Sequence, residues 1–556
     1  MEGSDEFGGI AKRLWNKLRN ERALALYSPY VVCLGSGNLD PDSFLHCISQ
    51  DVYFLRAFAQ AYELAEEYAD DDEDKEAIVT LRKRVLKRLR NQDALISEWG
   101  FEPPKDTACD DSTAKYTEFL KETASGKVGG EKHSVNIVTP FEKTKLAAYT
   151  LSAISPCMRL YSFISKEIQA LLGPDESDHH HVYKKWLNSL SSEKFEASAS
   201  RIEELLDKLS VSLTGEELDV VERLYHRAMR LELDFIWSQS VVQQTIVPFS
   251  CLRNKNAEGN LIIFCDFDLT CTAIDSSALL AELAIVAASD VSESADIRTS
   301  WNDLFGQYVD EYQQCIDSIV PIEAVIDKSG GLDYEGLCKA LEQISDVEKS
   351  ATSRMVRSEV LKGLNLTEIR RAGERLAFQE GCKRFFKDLM AESKNPVKDV
   401  HVLSYCWSGD LIKSAFSSGD EITLNVHSND LIYEESISTG NMITNMESPM
   451  DKLRAFNKIT KSTTNISVKP PTVYIGGSVG DLLCLLEADV GIVIGSSTSL
   501  MRLGNHFGVS FVPLFSGLVS KQRELTESGN LNRKGTSNVI YTVSNWDEIY
   551  AFVLGQ

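Results

Sequence analysis

The sequence predicts two domains: an all-α helical bundle over residues 1–240 and, from Leu261 onward, an α/β domain with a three-layer sheet and a helical insertion. Three observations predict this. The 556 residues exceed what one hydrophobic core usually organises. Apolar residues recur at helical spacing through most of positions 9–240. Beyond 260, short apolar runs alternate with helical stretches, as layering of helices on a sheet requires.

In chain order, helices are expected over 11–27, 41–69, 76–98, 112–125, 140–172, 182–209 and 214–238, separated by Gly, Pro or charged breaks. The acidic run Asp70–Asp74 reads as a solvated loop between helices, and Asp178-His179-His180-His181, beside Gly173-Pro174, as an exposed turn. Several polar residues occupy positions where a core prefers apolar ones. Asp51 lies beside Tyr53 and Phe54, Tyr116 near a helix start, Cys157 after Ser155-Pro156, and Glu232 inside Leu231–Phe235. Singly, each has a plain reading: Cys157 as a small core filler, Glu232 as a solvent-facing residue of an amphipathic helix.

The stretch Arg253–Asn260 has linker composition, which places the join at 241–260. The second domain, 261–556, opens on an apolar strand that delivers Asp266 and Asp268 at its C-terminal edge, the edge where open α/β sheets bind ligands. Residues 276–396 return to helix, over 276–288, 298–320, 334–364 and 366–390. Further strands are expected at 399–404, 422–426, 432–437, 472–476, 490–494, 511–514 and 539–543.

Composition narrows the function classes. The apolar fraction of 43% and charged fraction of 25% are ordinary for a globular protein. A net charge of −24 argues against nucleic-acid or anionic-membrane partners, because no basic surface dominates. No apolar run approaches membrane-spanning length. The acidic start Met1–Glu6 carries neither a signal-peptide nor a transit-peptide pattern, so a cytoplasmic protein is the default expectation; a mitochondrial form with an N-terminal extension stays open. The 12 cysteines include no Cys-x-x-Cys pair, which suits reduced thiols better than a disulfide frame or zinc site.

The chemistry is concentrated in a few motifs. Alternation along a strand sends Asp266 and Asp268 to one side and Phe267 to the other. Two carboxylates there suit a hard dication such as Mg²⁺ together with a phosphate. One acts as nucleophile, the other as proton donor and then base. A lone Asp-x-Asp reads equally as a helix cap, so the later pieces decide. Ser404 ends a second strand with a hydroxyl for a phosphoryl oxygen, and Ser448-Pro449 starts a helix that carries Lys452 as a point charge. The strand Thr472–Gly476 runs into Gly477-Ser478-Val479-Gly480-Asp481.

This succession resembles the haloacid dehalogenase (HAD) phosphatase superfamily. The resemblance implies Mg²⁺ held by Asp266, Asp268 and Asp481, with Asp266 and Asp268 catalytic. It further implies that Thr270, Ser404 and Lys452 bind the substrate and that 276–396 is a cap over the site. The polar set in the bundle is similar to the TenA family of thiaminase II and aminopyrimidine aminohydrolases, which implies Cys157 and Glu232 as catalytic and Asp51, Tyr116 and Tyr161 as substrate-binding. The expected architecture is thus a TenA-like all-α bundle followed by a HAD-like α/β domain with a helical cap. That order resembles the plant bifunctional thiamin monophosphate phosphatases. It implies thiamin monophosphate and aminopyrimidines as small-molecule substrates and leaves room for homo-oligomers formed through the TenA-like domain. Two positions depart from the patterns: Gly477 replaces a metal-binding Asp of the HAD motif, and Leu190 an active-site Tyr of the TenA motif. They open a second reading, a thiamin- or pyrimidine-binding protein that has lost catalysis. A third is a phosphatase of another small ester.

Overall fold

A computed structural model of the chain describes residues 8–104, 107–128, 131–132, 140–172, 181–251, 261–320, 331–391, 397–417, 424–462, 470–528 and 538–556. The chain divides into two compact units, Met1–Phe249 with Leu518–Leu531 and Ala551–Gln556, and Ser250–Gly517 with Asn532–Tyr550. The division after Phe249 falls inside the expected join, whose segment Arg253–Asn260 lies outside the described residues. The two C-terminal segments that group with the first unit depart from the expectation that all of 261–556 forms the second. No local pattern in either segment signals this.

The first unit is built from α1 Ile10–Lys17, α2 Arg19–Leu26, α3 Pro29–Ser36, α4 Pro41–Tyr68, α5 Asp72–Arg90, α6 Gln92–Trp99, α7 Asp111–Ala124, α8 Pro140–Leu171, α9 Lys184–Leu190, α10 Glu193–Ser210 and α11 Gly215–Ser238. Capping explains most boundaries. Asp40 accepts the Ser43 N–H at 3.0 Å to start α4, and Thr214 with Glu217 forms a reciprocal capping box at α11. Three expected helices are broken in two, at Leu18, Asn91 and Ser191-Ser192, because the apolar period continues across short breaks that it does not register. The helix α3, framed by Ser28-Pro29 and by Gly37 at φ 79°, was not expected at all.

Only the start of the acidic run is the solvated loop expected: Asp70 and Asp71 are exposed between α4 and α5, and the rest opens α5. Asp71 caps α5, and Asp74, only 4% exposed, pairs with Lys208 Nζ at 2.8 Å. His181 is likewise buried, its Nε2 3.2 Å from the Gly35 carbonyl, rather than part of an exposed turn; Asp178–His180 lie outside the described residues. The helices α4, α7, α8 and α11 pack on one another. Phe54 meets Tyr116 and Phe235 edge to face, with centroids 5.3 and 5.0 Å apart. Burying each such ring contributes about 1.5–3 kcal/mol.

The second unit contains strands β1 Leu261–Cys265, β2 Lys362–Asn365, β3 Val397–Leu403, β4 Asn425–His427, β5 Asp430–Glu434, β6 Ile437–Ile443, β7 Thr472–Gly476, β8 Val490–Ile494, β9 Ser510–Pro513 and β10 Val539–Val543. Among the described residues, seven of them form one parallel sheet in the order β9-β10-β8-β7-β1-β3-β4. β1 is therefore central. The chain leaves it for β3 on one side and returns to β7 on the other, a switch point that opens a crevice beyond the carboxyl end of β1. β1, β7 and β8 are buried at every position, as parallel strands covered on both faces require.

The insertion contains α12 Ser276–Ala287, α13 Val291–Ile319, α14 Tyr334–Ser358, α15 Leu366–Glu374 and α16 Cys382–Ala391, followed by α17 Gly409–Ser417 and α18 Pro449–Ser462. It is not wholly helical. The expected helix 334–364 ends at Ser358, with Glu359 left-handed at φ 52°, and β2 then pairs with β6 in a small antiparallel sheet. The expected strand 432–437 straddles a hairpin: Glu435 and Ser436, at φ 47° and 73°, join β5 to β6. A two-residue turn with both φ positive usually announces itself by Asn-Gly or Asp-Gly, and Glu-Ser gives no such signal.

Candidate functional site

Strand β1 runs straight into the site. Its hydrogen bonding continues one residue past the strand, where the Asp266 N–H donates to the Ile475 carbonyl at 2.9 Å. Asp266 is thereby fixed at the sheet edge, 5% exposed. The chain then turns sharply through Leu269, left-handed at φ 58°. Trp546 Nε1 donates to the Thr270 carbonyl at 3.0 Å and holds the turn from behind.

The centre of the site is a buried cation between two carboxylates. Lys452 Nζ, 1% exposed, donates to Asp266 Oδ1 at 2.8 Å and to Asp481 Oδ1 at 2.9 Å. It also lies 4.4 Å from the ring centroid of Tyr405. Asp481 is fully occupied. Its Oδ1 also accepts from Tyr474 Oη at 2.8 Å, and its Oδ2 accepts from Ser478 N, Ser478 Oγ and Gly477 N at 2.9, 2.7 and 3.2 Å. Burial alone would push the Asp481 carboxyl up; Lys452 and Ser478 outweigh it and hold it below the ordinary carboxylate value. Asp266 has fewer donors: Lys452, the Phe267 N–H and a 3.3 Å hydrogen bond from Thr270 Oγ1 to Oδ2. Burial and the charge of Asp481 push it up to about 6 against the pull of Lys452.

Asp268 lies across the crevice mouth. Its Oδ1 accepts the Ser276 N–H at 2.7 Å, and its Oδ2 accepts from Ser404 Oγ at 3.4 Å. Burial, then Asp275 and Asp266, push its carboxyl up to about 7, where a group can both give and take a proton near neutral pH. Lys452 owes its position to the start of α18. Ser448 Oγ accepts the Asp451 N–H at 3.3 Å and donates to Asp451 Oδ2 at 2.7 Å, as expected of an N-cap.

The fold thus brings Asp266, Asp268, Thr270, Ser404, Lys452 and Asp481 together, and it redefines three of them. Thr270 and Ser404, both fully buried, hold the two carboxylates rather than standing open for a ligand. Asp481 has no free lone-pair direction for a metal and serves as the anchor of Lys452. Mg²⁺ makes do with one or two carboxylates, waters and substrate phosphate oxygens. Asp266 fits that demand better than Asp481, because fewer donors reach its oxygens. Gly477 adds nothing, and no group of three or more His, Cys, Asp or Glu among the described residues is arranged to hold a metal. The fit is to a loosely held dication on Asp266 and the neighbouring Asp268. Sequence reasoning missed Tyr474, Ser478 and Tyr405. Tyr474 sits inside an apolar strand, where its hydroxyl gave no sign of facing Asp481.

The first unit holds a second site, a cavity of ≈ 300 Å³ lined by Asp51, Phe58, Tyr62, Cys157, Tyr161 and Glu232 among others. Leu190 also lines it, with an apolar side chain where the TenA-like pattern would have a hydroxyl. Tyr116 does not line it. It is fully buried behind Phe54, its hydroxyl 3.4 Å from the Ala153 carbonyl, and so supports Glu232 instead of touching a ligand. Tyr53 points elsewhere too, donating to the Thr107 carbonyl at 2.8 Å. Asp51 is paired with Arg88 at 3.0 Å. Burial raises its carboxyl and Arg88 pulls it down, with burial prevailing. Arg88 lies four residues after Arg84 on α5, and both line the cavity; in the sequence this spacing looks like any solvated basic face.

Glu232 is not solvent-facing: it is 1% exposed, and its Oε1 has no hydrogen-bond partner among the described residues. Burial pushes its carboxyl up to about 7, with Cys157 and Tyr116 pulling it down. Cys157 is held as a neutral thiol by burial and then by the charge of Glu232. A carboxyl whose folded pKa exceeds its unfolded value, here about 7 against 4.5, is most favourable to the fold below 4.5 and costs stability as pH rises through 7. Glu232→Gln is therefore expected to stabilise the protein by about 1–3 kcal/mol at pH 8 and far less at pH 5. Urea midpoints at the two pH values check this. An equal shift at both would mean that packing, not charge, is responsible.

The profile of the TENA/THI-4/PQQC family matches residues 132–241. The bifunctional TH2 protein, mitochondrial, of Arabidopsis thaliana is 51% identical over 557 residues, covering 98% of this chain and 89% of the relative. Among solved structures, a TenA homologue from P. horikoshii aligns with 42% of this chain and 100% of its own length at 18% identity and a TM-score of 0.34. A phosphoserine phosphatase carrying a phospho-aspartyl intermediate analogue aligns with 44% of this chain and 91% of its own length, at 17% identity and a TM-score of 0.27. The identity to the Arabidopsis protein spans both units, so the chain belongs to the family of bifunctional TH2 proteins, with the TENA/THI-4/PQQC match lying in its helical first unit.

Proposed function

We propose that the second unit hydrolyses thiamin monophosphate to thiamin and phosphate, and that the first binds and hydrolyses an aminopyrimidine derived from thiamin breakdown. The observation that carries the phosphatase reading is Asp266, fixed at the end of the central strand by Lys452 and Thr270 beside an Asp268 poised near neutrality. The thiamin reading is supported by the 51% identity to the bifunctional Arabidopsis protein and by the TenA-like bundle.

In the proposed reaction a carboxylate oxygen of Asp266 attacks phosphorus in line, and the bond to the ester oxygen breaks. Asp268 gives its proton to the leaving alkoxide. It then takes a proton from the water that attacks the aspartyl phosphate, which releases inorganic phosphate and restores Asp266. Lys452 holds Asp266 in line and offsets charge on the phosphoryl group. Bound Mg²⁺ would supply neutralisation of the phosphate oxygens. In the first unit, Glu232 would take the proton of Cys157 as the thiol adds to the pyrimidine ring and pass it to the amine, which leaves as ammonia; water then takes the amine's place, and the thiol is expelled with the proton that the water gives up.

Phosphate release from thiamin monophosphate, measured against Mg²⁺ concentration, tests this reading. Gly477→Asp adds a carboxylate beside the dication and is expected to lower the Mg²⁺ needed for half-maximal rate several-fold. Its Cβ would stand 3.0 Å from the Ile494 carbonyl and 3.3 Å from Thr270 Oγ1, so those groups must yield by a few tenths of an ångström. Superimposable curves would show that Gly477 is already compensated. No release from either form would favour a binding protein without catalysis, the reading that Gly477 and Leu190 suggest.

A further inference from the structure

The insertion carries a carboxylate and a set of rings that the phosphoryl chemistry leaves unused. α14 packs both on α13 and on α18, the helix of Lys452. Glu348 on α14 accepts a hydrogen bond from Tyr308 Oη on α13 at 3.0 Å. It forms no ion pair among the described residues. Trp301, Tyr308 and Tyr312 recur at helical spacing on one face of α13. Tyr308 and Tyr312 have centroids 5.7 Å apart. Trp301 meets Trp407 edge-on at 6.3 Å, and Trp407 lies three residues beyond Ser404 of the phosphatase site. All four rings are half-buried.

This placement is unusual for a solvated helix face. Burial pushes the Glu348 carboxyl up to about 7, with Tyr308 and Lys452 drawing it down. The charge of Glu348 is felt in turn by Tyr405, the ring beneath Lys452, which puts the carboxylate close to the reacting centre. A desolvated carboxylate with one hydroxyl donor, bonded to Tyr308 whose ring adjoins that of Tyr312, has the composition that binds organic cations.

We propose that Glu348, with Trp301, Tyr308, Tyr312 and Trp407, recognises the organic half of the phosphate ester, and that this half carries a positive charge on a quaternary or heteroaromatic nitrogen. The inference rests on the phosphatase reading of the second unit and deepens it: Lys452 and Asp266 take the phosphoryl end, and the carboxylate with its rings selects the leaving group.

The test uses the full chain and three esters: thiamin monophosphate, phosphocholine, and 3,3-dimethylbutyl phosphate, the neutral isostere of phosphocholine. Glu348→Gln keeps the size and the hydrogen bond to Tyr308 but removes the charge. It is expected to reduce kcat/KM for the two cationic esters roughly 10- to 100-fold, mainly through KM, while leaving the neutral ester within about 3-fold. Trp301→Leu, which leaves the carboxylate in place, is expected to reduce the cationic esters several-fold more than the neutral one. Equal losses on all three esters, or none, would overturn the cation site. If phosphocholine is hydrolysed with this dependence and thiamin monophosphate is not, the cation site stands and the thiamin reading falls. If thiamin monophosphate is hydrolysed and Glu348→Gln leaves it unchanged, the reverse holds.

Discussion

Asp266→Asn is expected to lower phosphate release by at least about 10³-fold while the protein stays folded. Asn has nearly the shape of Asp and can turn its carbonyl oxygen toward Lys452, so the contact seen at 2.8 Å keeps an acceptor. It cannot act as a carboxylate nucleophile, and the loss therefore falls on kcat. Stability should change little, since Lys452 retains its charged partner Asp481 and the two carboxylates no longer repel. Near-native turnover by this variant would remove Asp266 from the mechanism. Rates with thiamin monophosphate and a melting curve on the same preparation separate the two effects.

Lys452→Met is expected to be both inactive and destabilised by about 3–5 kcal/mol, because it leaves two buried carboxylates without their shared cation. The methionine keeps the length of the stem but not the charge. With Lys452 gone, both carboxyl pKa values rise in the folded state, so the folded protein binds more protons than the unfolded chain and the deficit shrinks as pH falls. Adding Asp481→Asn removes one of the stranded charges and should restore a large part of the loss. Denaturant unfolding of the two single variants and the double variant gives the coupling directly. A Lys452→Met protein as stable as the wild type would mean that the ion pairs contribute nothing net.

What the sequence disclosed and what it hid divide along physical lines. Asp266, Asp268 and Lys452 were legible because each follows a local signal, an apolar strand ending in acid or a Ser-Pro helix start, and the fold preserves local order. Asp481 was found for the same reason, without its hydrogen-bonded setting. Nothing local reveals that Tyr474 and Ser478 saturate its oxygens. Tyr116 is implied as a ligand contact by the resemblance to the TenA family. Only packing shows that Phe54 stands in front of it. Arg88 and Glu348 were invisible as site residues, since a charged side chain at helical spacing is usually solvated and only the facing helix decides otherwise. The hairpin between β5 and β6 and the extension of the first unit by 518–531 follow the same rule: both depend on partners far along the chain.

The central claim is that Asp266 is transiently phosphorylated. The most direct measurement quenches the protein in acid during turnover of thiamin monophosphate, reduces the acyl phosphate with borohydride and sequences the peptides by mass spectrometry. The account predicts homoserine at position 266, dependent on substrate and absent from the Asp266→Asn variant. Steady phosphate release with position 266 unmodified, or with homoserine formed at another aspartate, would contradict it.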